Sequence, residues 1–148
     1  MKHRWIILLS ALICVCGCFP QAKNPMLVSD VSSFYLDDTA RQARQAGVDY
    51  RPVLEAALDK NPRALGTLFR LTASGVLHGR GADSHAAMLW TLMNQWGDRN
   101  FSQGLEAETP AVRQAVVTSL DYAAPGSYAG SYPLTYRLGL HEIRFGGG

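Results

Sequence analysis

Apolar residues recur at helical spacing along most of the chain between residues 36 and 120. A repeat of about 3.6 residues places such side chains on one face of a helix. The strongest instance runs from Ser84 to Trp96, and the side chains that share its apolar face are Met88, Leu89, Leu92, Met93 and Trp96. At about 100° per residue, His85 projects onto the middle of this face. The pattern predicts a helix here that carries the largest part of a hydrophobic core.

Weaker apolar stripes predict further helices on both sides of this one. They are expected over residues 37–46, from about 49, over 61–79, over 101–105 and from 109. Asn61 followed by Pro62 is a helix cap with proline at the first helical position, and Gly47 and Gly97 are stop signals. The predicted buried side chains are Leu36, Ala40 and Ala43; Val53, Leu54, Ala57 and Leu58; Leu65, Leu68, Phe69, Thr72 and Val76; and Val112, Ala115, Val116, Ser119 and Leu120. The predicted fold is all-α, a small helical bundle or a short stack of antiparallel helix pairs over residues 30–124.

The helical pattern stops after Ala124. Residues 125–133 are rich in Pro, Gly, Ser and Tyr, which favour turns. Beyond them Tyr136, Leu138, Leu140 and Ile143 alternate loosely, which allows one strand or an extended segment. Residues 125–148 are therefore predicted to form an irregular Tyr- and Gly-rich C-terminal arm.

Trp90 belongs to the predicted central helix but lies about 130° from the centre of its apolar stripe. Two interpretations follow. Either the Tyr-rich arm after Pro125 packs over the indole, or the indole is exposed and is a candidate anchor of a binding interface.

The most apolar stretch of the chain lies near its start. A basic region, Lys2 to Arg4, precedes an apolar run from Trp5 to Cys16. The run is shorter than the ~20 residues that a membrane-spanning helix needs and has the length of a secretory h-region. Residues 1–17 are therefore predicted to be a cleaved signal peptide.

The end of this segment, Val15-Cys16-Gly17-Cys18, has an aliphatic residue, two small residues and a cysteine in order. It resembles the lipobox of bacterial lipoproteins over residues 1–18, although Cys16 is unusual at its position. The resemblance implies that Cys18 is acylated with diacylglycerol, becomes the first mature residue and is then N-acylated. Two or three acyl chains make a stable membrane anchor. The alternative is an ordinary signal peptide cut after Gly17, with Cys18 an incidental thiol.

Residues 18–29 are predicted to be the lipidated cysteine and a tether, because Pro20 and Pro25 disfavour helix. Fully extended, the tether holds the domain at most ~40 Å from the bilayer.

Removal of the leader changes the charge balance and the cysteine count. Of the 14 Lys and Arg residues, Lys2 and Arg4 leave with it, so twelve remain against 12 Asp and Glu. No basic excess is left to neutralise phosphates, which argues against a nucleic-acid partner. Cys18 is the remaining cysteine, so no disulfide within the mature chain is expected.

The strongest candidate for chemistry is the loop His78-Gly79-Arg80-Gly81-Ala82-Asp83-Ser84-His85. In a functional interpretation His78, Asp83 and His85 hold a metal, or the helix start receives an anion. In a structural one Asp83 or Ser84 caps the helix, the glycines form the turn and His85 is a core residue. No standard metal spacing is matched, so no metal or other cofactor is predicted. Glu106 and Glu108 are candidates to flank a substrate. The alternative is that two acids near a helix start compensate its dipole.

The segment from Thr109 to Leu120 resembles the second helix of a HEAT repeat through Pro110, Val112-Arg113, Ala115-Val116 and Leu120. The resemblance implies stacked antiparallel helix pairs with a protein-binding surface. Ala107 stands where that family has the acid that binds the arginine, and Glu106 or Glu108 is the candidate substitute. No period near 40 residues recurs upstream, as a solenoid requires.

These observations favour a lipid-anchored binding or scaffolding protein of the cell envelope, with a protein partner, over an enzyme. The alternatives are a small envelope enzyme that uses His78, Asp83 and His85, or a binder of an apolar ligand between helices. The expected location is a cell membrane. In a source with an outer membrane, Phe19 after the lipidated cysteine favours the periplasmic face of that membrane.

The lipobox resemblance predicts that Cys18→Ala abolishes acylation and leaves unprocessed precursor, because acylation of the Cys18 sulfur precedes cleavage of the signal peptide. Mass spectrometry and membrane fractionation compare the variant with the wild type. A variant that reaches mature size on membranes, beside a wild type without lipid mass, would contradict the prediction.

Overall fold

The computed structural model describes residues 34–123 and 128–143. The predicted signal peptide, Cys18 and the tether lie outside these residues. All regular secondary structure in the described part is helical, which confirms the all-α prediction. The helices are α1 (Phe34–Ala43), α2 (Tyr50–Leu58), α3 (Pro62–Ala73), α4 (Arg80–Glu106), α5 (Pro110–Ala123), α6 (Tyr128–Ser131) and α7 (Pro133–Ile143), with a 3-10 turn at Arg44–Ala46.

The helices form a small bundle in which α4 is central. Helix α4 contacts α1, α2, α3, α5 and α7, and α5 also contacts α3 and α7. The predicted stripe of α4 is buried at Met88, Leu89, Leu92 and Met93, while Trp96 is half-buried. The hydrophobic core is therefore assembled around the helix that the sequence pattern singled out.

Among the first three helices, the boundaries that were predicted from residues at the boundary itself, Gly47 and Asn61-Pro62, are confirmed. Gly47 ends the turn after α1 in a left-handed conformation with φ of 72°, which glycine adopts without a steric penalty. The side chain of Asn61 accepts hydrogen bonds from the backbone N–H groups of Arg63 and Ala64, with Pro62 at the start of α3. Two details differ. Helix α1 begins before Asp37 rather than at it, and α3 ends at Ala73, so Val76 lies in the loop that follows.

Helix α4 is longer than predicted and is kinked. It starts at Arg80, so neither Asp83 nor Ser84 is its cap. Gly97 is a break, as predicted, with φ 74° and ψ 155°, but helix resumes at once and the predicted short helix at 101–105 belongs to the same element. After the kink Phe101 and Leu105 are buried, and the Phe101 ring packs edge-on against Phe69 with centroids 4.9 Å apart.

The C-terminal arm is helical, so the prediction of an irregular or extended segment was wrong for its described part. The carboxylate of Asp98 accepts hydrogen bonds from Leu134 N at 2.8 Å, Thr135 N at 2.9 Å and Thr135 Oγ1 at 2.8 Å. Asp98 thus satisfies the free N–H groups at the start of α7, and Pro133 suits the first helical position. This capping residue lies on α4, far from α7 in sequence.

Helix α7 also packs closely on α5. A Cβ atom added at Gly139 would lie 2.5 Å from Cγ1 of Val117, nearer than side chains allow. Val117 is buried, although the predicted stripe of α5 did not include it. Glycine at 139 therefore sets the distance between the two helices.

Among residues 34–123 and 128–143 no helix is both long and apolar enough to cross a membrane.

The close contact at Gly139 predicts that Gly139→Ala destabilises the chain by about 1–3 kcal/mol, because the new methyl group overpacks the α5–α7 contact. Gly130→Ala is the matched control, since nothing lies within 4 Å of a Cβ atom there. Urea unfolding followed by circular dichroism measures both. Equal free energies of unfolding for the two variants would contradict the close contact between α5 and α7 at Gly139.

Candidate functional site

The side chain of His85 is enclosed in the core, where α2, α3 and α4 meet. It is 1% exposed. Its Nδ1 lies 2.9 Å from the hydroxyl of Tyr50, and its Nε2 lies 2.9 Å from Oγ1 of Thr72. The Thr72 hydroxyl donates its proton to the Leu68 carbonyl at 3.0 Å, so it accepts from Nε2–H. Tyr50 then donates to Nδ1, and the imidazole is neutral with both nitrogens satisfied.

Burial sets the protonation states of this group. Desolvation lowers the pKa of His85 to about 4, although a hydrogen bond with the Leu68 backbone opposes the shift. Desolvation also raises the pKa of Tyr50 above its usual value, so the phenol keeps its proton. The Tyr50–His85–Thr72 chain is an uncharged, internally paired junction, with no ring nitrogen left for a metal or a substrate.

The other two residues of the predicted loop site do not join His85. His78 and Asp83 are exposed, and the backbone N–H of His78 donates to Oε1 of Gln42 at 2.9 Å. Gly81 is explained by packing, because an added Cβ atom would lie 2.4 Å from the same Gln42 oxygen. In the described part of the chain no group of three or more His, Cys, Asp or Glu side chains could hold a metal ion.

Trp90 is half-buried beneath the C-terminal arm. Its ring packs edge-on against Tyr128 and Tyr132, with centroids 6.1 and 5.4 Å apart, and Tyr128 packs on Tyr136 in the same way at 5.4 Å. Of the two interpretations of Trp90, the structure agrees with packing by the arm. This aromatic cluster joins α4 to α6 and α7.

An open groove lies between α3 and the second half of α4, with a volume of about 920 Å³. Its polar and aromatic lining comprises Lys60, Arg63, Thr67, Arg70, Trp96, Asn100, Gln103 and Glu108. Gly66 and Gly104 also line it, and Gly104 allows α4 to approach α3. A Cβ atom at Gly104 would lie 3.3 Å from Leu65, and one at Gly66 would lie 2.8 Å from the Glu108 carboxylate.

One end of the groove is fixed by contacts between α2 and α4. The indole N–H of Trp96 donates to the carbonyl of Ala57 at 2.9 Å, and Gln95 donates to the carbonyl of Leu58 at 2.9 Å. The ammonium of Lys60 donates to the carbonyl of Gln95 and lies 5.4 Å from the centre of the Trp96 ring. Trp96 and Lys60 are therefore held in place, and together they form a wall of the groove that is aromatic and positively charged.

The other end carries an ion pair. The guanidinium of Arg70 lies 2.6 Å from the carboxylate of Glu108, whose side chain is 10% exposed, and a second nitrogen of Arg70 contacts the Thr67 hydroxyl at 3.4 Å. No ion pair joins Arg63 to an acidic side chain in the described residues. Among those residues the groove holds three cations and one carboxylate, so it is net positive.

The sequence pattern did not indicate this groove. Arg63, Thr67 and Arg70 recur at helical spacing on α3, which is the signal that was available. In the sequence this spacing is typical of an ordinary solvent-exposed helix face. The face becomes one wall of a groove only because α4 lies beside α3. Arg113, which the HEAT resemblance pairs with an acid, donates to the carbonyl oxygens of Glu106 and Glu108, while the Glu108 carboxylate pairs with Arg70.

The buried imidazole predicts a pH-dependent stability. Between pH 6.5 and about 4 the unfolded chain binds a proton at His85 and the folded chain does not, so the free energy of unfolding falls as the pH is lowered through this range. The full effect is about 3 kcal/mol. Urea unfolding across this range should give a flatter profile for His85→Gln, which is also less stable at neutral pH.

His78→Gln is the matched control for this measurement, because it removes an exposed imidazole. It should keep the wild-type slope. Parallel profiles for His85→Gln and the wild type would show that His85 does not titrate as expected.

Comparison of the chain with protein-family models, with curated proteins and with solved structures finds no match.

Proposed function

We propose that the chain is a lipid-anchored binding protein of the cell envelope, and that its helical domain holds a segment of a partner protein in the groove between α3 and α4. The groove supports the binding role. It is open, its aromatic wall is held by hydrogen bonds at Trp96, and it carries an arginine at position 63 without an acidic partner among the described residues. Preorganised aromatic and arginine side chains are the groups that dominate protein interfaces.

The anchor is part of the same proposal and rests on the lipobox-like residues up to Cys18. Acylation there joins the domain to a membrane through the tether that follows. In a source with an outer membrane, the periplasmic face of that membrane is the proposed location. A domain held this close to the bilayer meets partners of the envelope at a high local concentration.

The alternative of an envelope enzyme built on His78, Asp83 and His85 has less support. A catalytic base must reach the proton that it abstracts, whereas both nitrogens of His85 are bonded inside the core. The groove is open to solvent, so it suits an extended segment better than an enclosed apolar ligand.

A photo-crosslinking amino acid at Gln103 tests the binding role, because this side chain is exposed and lines the groove. In the native cells, irradiation should give an adduct with one protein, and Arg63→Glu in the same chain should reduce it. The matched control carries the crosslinker at Arg44, which is exposed and does not line the groove. Equal adducts at both positions, or no protein adduct at Gln103 in chains that reach the membrane, would contradict the proposal.

A further inference from the structure

We propose that the segment bound in the groove is acidic, and that its carboxylates pair with Arg63 and with the cations on either side of it. This inference rests on the proposed function and specifies the chemistry of its partner. The first support is charge. Three cations and one carboxylate line the groove in the described part of the chain, and that carboxylate is already engaged with Arg70.

The ion pair between Arg70 and Glu108 shows the mode of recognition. Glu108 is held at 10% exposure, with its oxygen 2.6 Å from the Arg70 guanidinium. Thr67 lies beside the same guanidinium and helps to orient it. The chain thus places a carboxylate of its own on one of the groove cations. A second carboxylate, supplied by a partner, forms an ion pair with the neighbouring Arg63.

The spacing of the cations fits an extended segment. Arg63 and Arg70 are seven residues apart on α3, which corresponds to ~10 Å along the helix axis at 1.5 Å per residue. A polyproline-II segment advances ~3.1 Å per residue with about three residues per turn, so side chains three residues apart share a face and span about the same distance. The amides of Asn100 and Gln103 line the facing wall and are suited to the backbone of such a segment.

The shape of the site favours a peptide over a lipid surface. A bilayer is flat on this scale, whereas the cations line a groove of about 920 Å³ that also includes Trp96. An extended segment enters the groove and lies along the indole. Its acidic side chains then reach the cations on the α3 side of the groove, Lys60, Arg63 and Arg70.

Fluorescence anisotropy tests the inference with the full chain in zwitterionic detergent micelles and labelled hexaglutamate as the probe. Hexaglutamate should bind, hexalysine should not, and added salt should weaken the binding. Arg63→Glu should lower the affinity about tenfold or more, because it replaces attraction with repulsion. Arg44→Glu makes the same charge change outside the groove and should alter the affinity less than about twofold.

Glu108→Gln gives a result of opposite sign. It removes the internal carboxylate that competes with the ligand for Arg70, so hexaglutamate should bind about threefold or more tightly. A merely structural role of Glu108 would leave binding unchanged or weaken it. Circular dichroism of each variant checks that the helices are retained. If Arg63→Glu loses them, Arg63→Gln takes its place, and weaker binding is again expected.

Several results would overturn the inference. They are equal binding of hexaglutamate and hexalysine, equal effects of Arg63→Glu and Arg44→Glu, and displacement of the peptide by phosphatidylglycerol in mixed micelles that depends on Arg63. The last result would make the occupant a phosphate headgroup, and displacement by inorganic phosphate alone would make it a free anion.

A partner crosslinked at Gln103 through a segment without acidic residues would also refute the inference, but would leave the proposed function standing. No adduct at Gln103, with hexaglutamate still bound at Arg63, would instead remove the proposed function.

Discussion

The hydrogen bonds of the His85 side chain are the constraint on which the bundle depends. A buried imidazole is costly unless both nitrogens are paired. Here the partners come from two different helices, Tyr50 on α2 and Thr72 on α3, while His85 itself is on α4. The two bonds therefore fix three helices relative to one another. The neutral ring satisfies both of them, and burial lowers the pKa of His85, so the junction is uncharged.

A second set of contacts positions the helices that His85 does not reach. At Gly81 and Gly139 the absence of a side chain lets Gln42 of α1 and Val117 of α5 approach closely. Asp98 caps α7 from the residue after the kink at Gly97, so the kink and the cap act together. The arm held in this way covers Trp90 with Tyr128 and Tyr132. The C-terminal helices are thus joined to the bundle by polar and aromatic contacts as well as by apolar packing.

The sequence predicted those features whose causes are local. The stripe from Met88 to Met93 follows from periodicity alone, and the Asn61-Pro62 cap acts within its own helix, so both were confirmed. The helical arm was not predicted, because the carboxylate that caps α7 belongs to Asp98 on another element. The start of α4 was placed too late because Gly79 and Gly81 resemble a loop, while Gly81 is helical and packs under Gln42. The groove was missed because Arg63 and Trp96 acquire a common surface only when α3 and α4 are side by side.

The core and the groove are connected through a single helix. One face of α3 carries Leu65, Leu68 and Phe69 into the core and places Thr72 on His85, whereas the opposite face presents Arg63, Thr67 and Arg70 to the groove. Because both faces belong to one helix, the packing that places Thr72 on His85 also places positions 63 and 70 on the groove side. Gly66 lies between these faces and leaves room for the Glu108 carboxylate to reach Arg70. The charge of the groove therefore depends on the same helix orientation that pairs the buried imidazole, although no atom of His85 lines the groove.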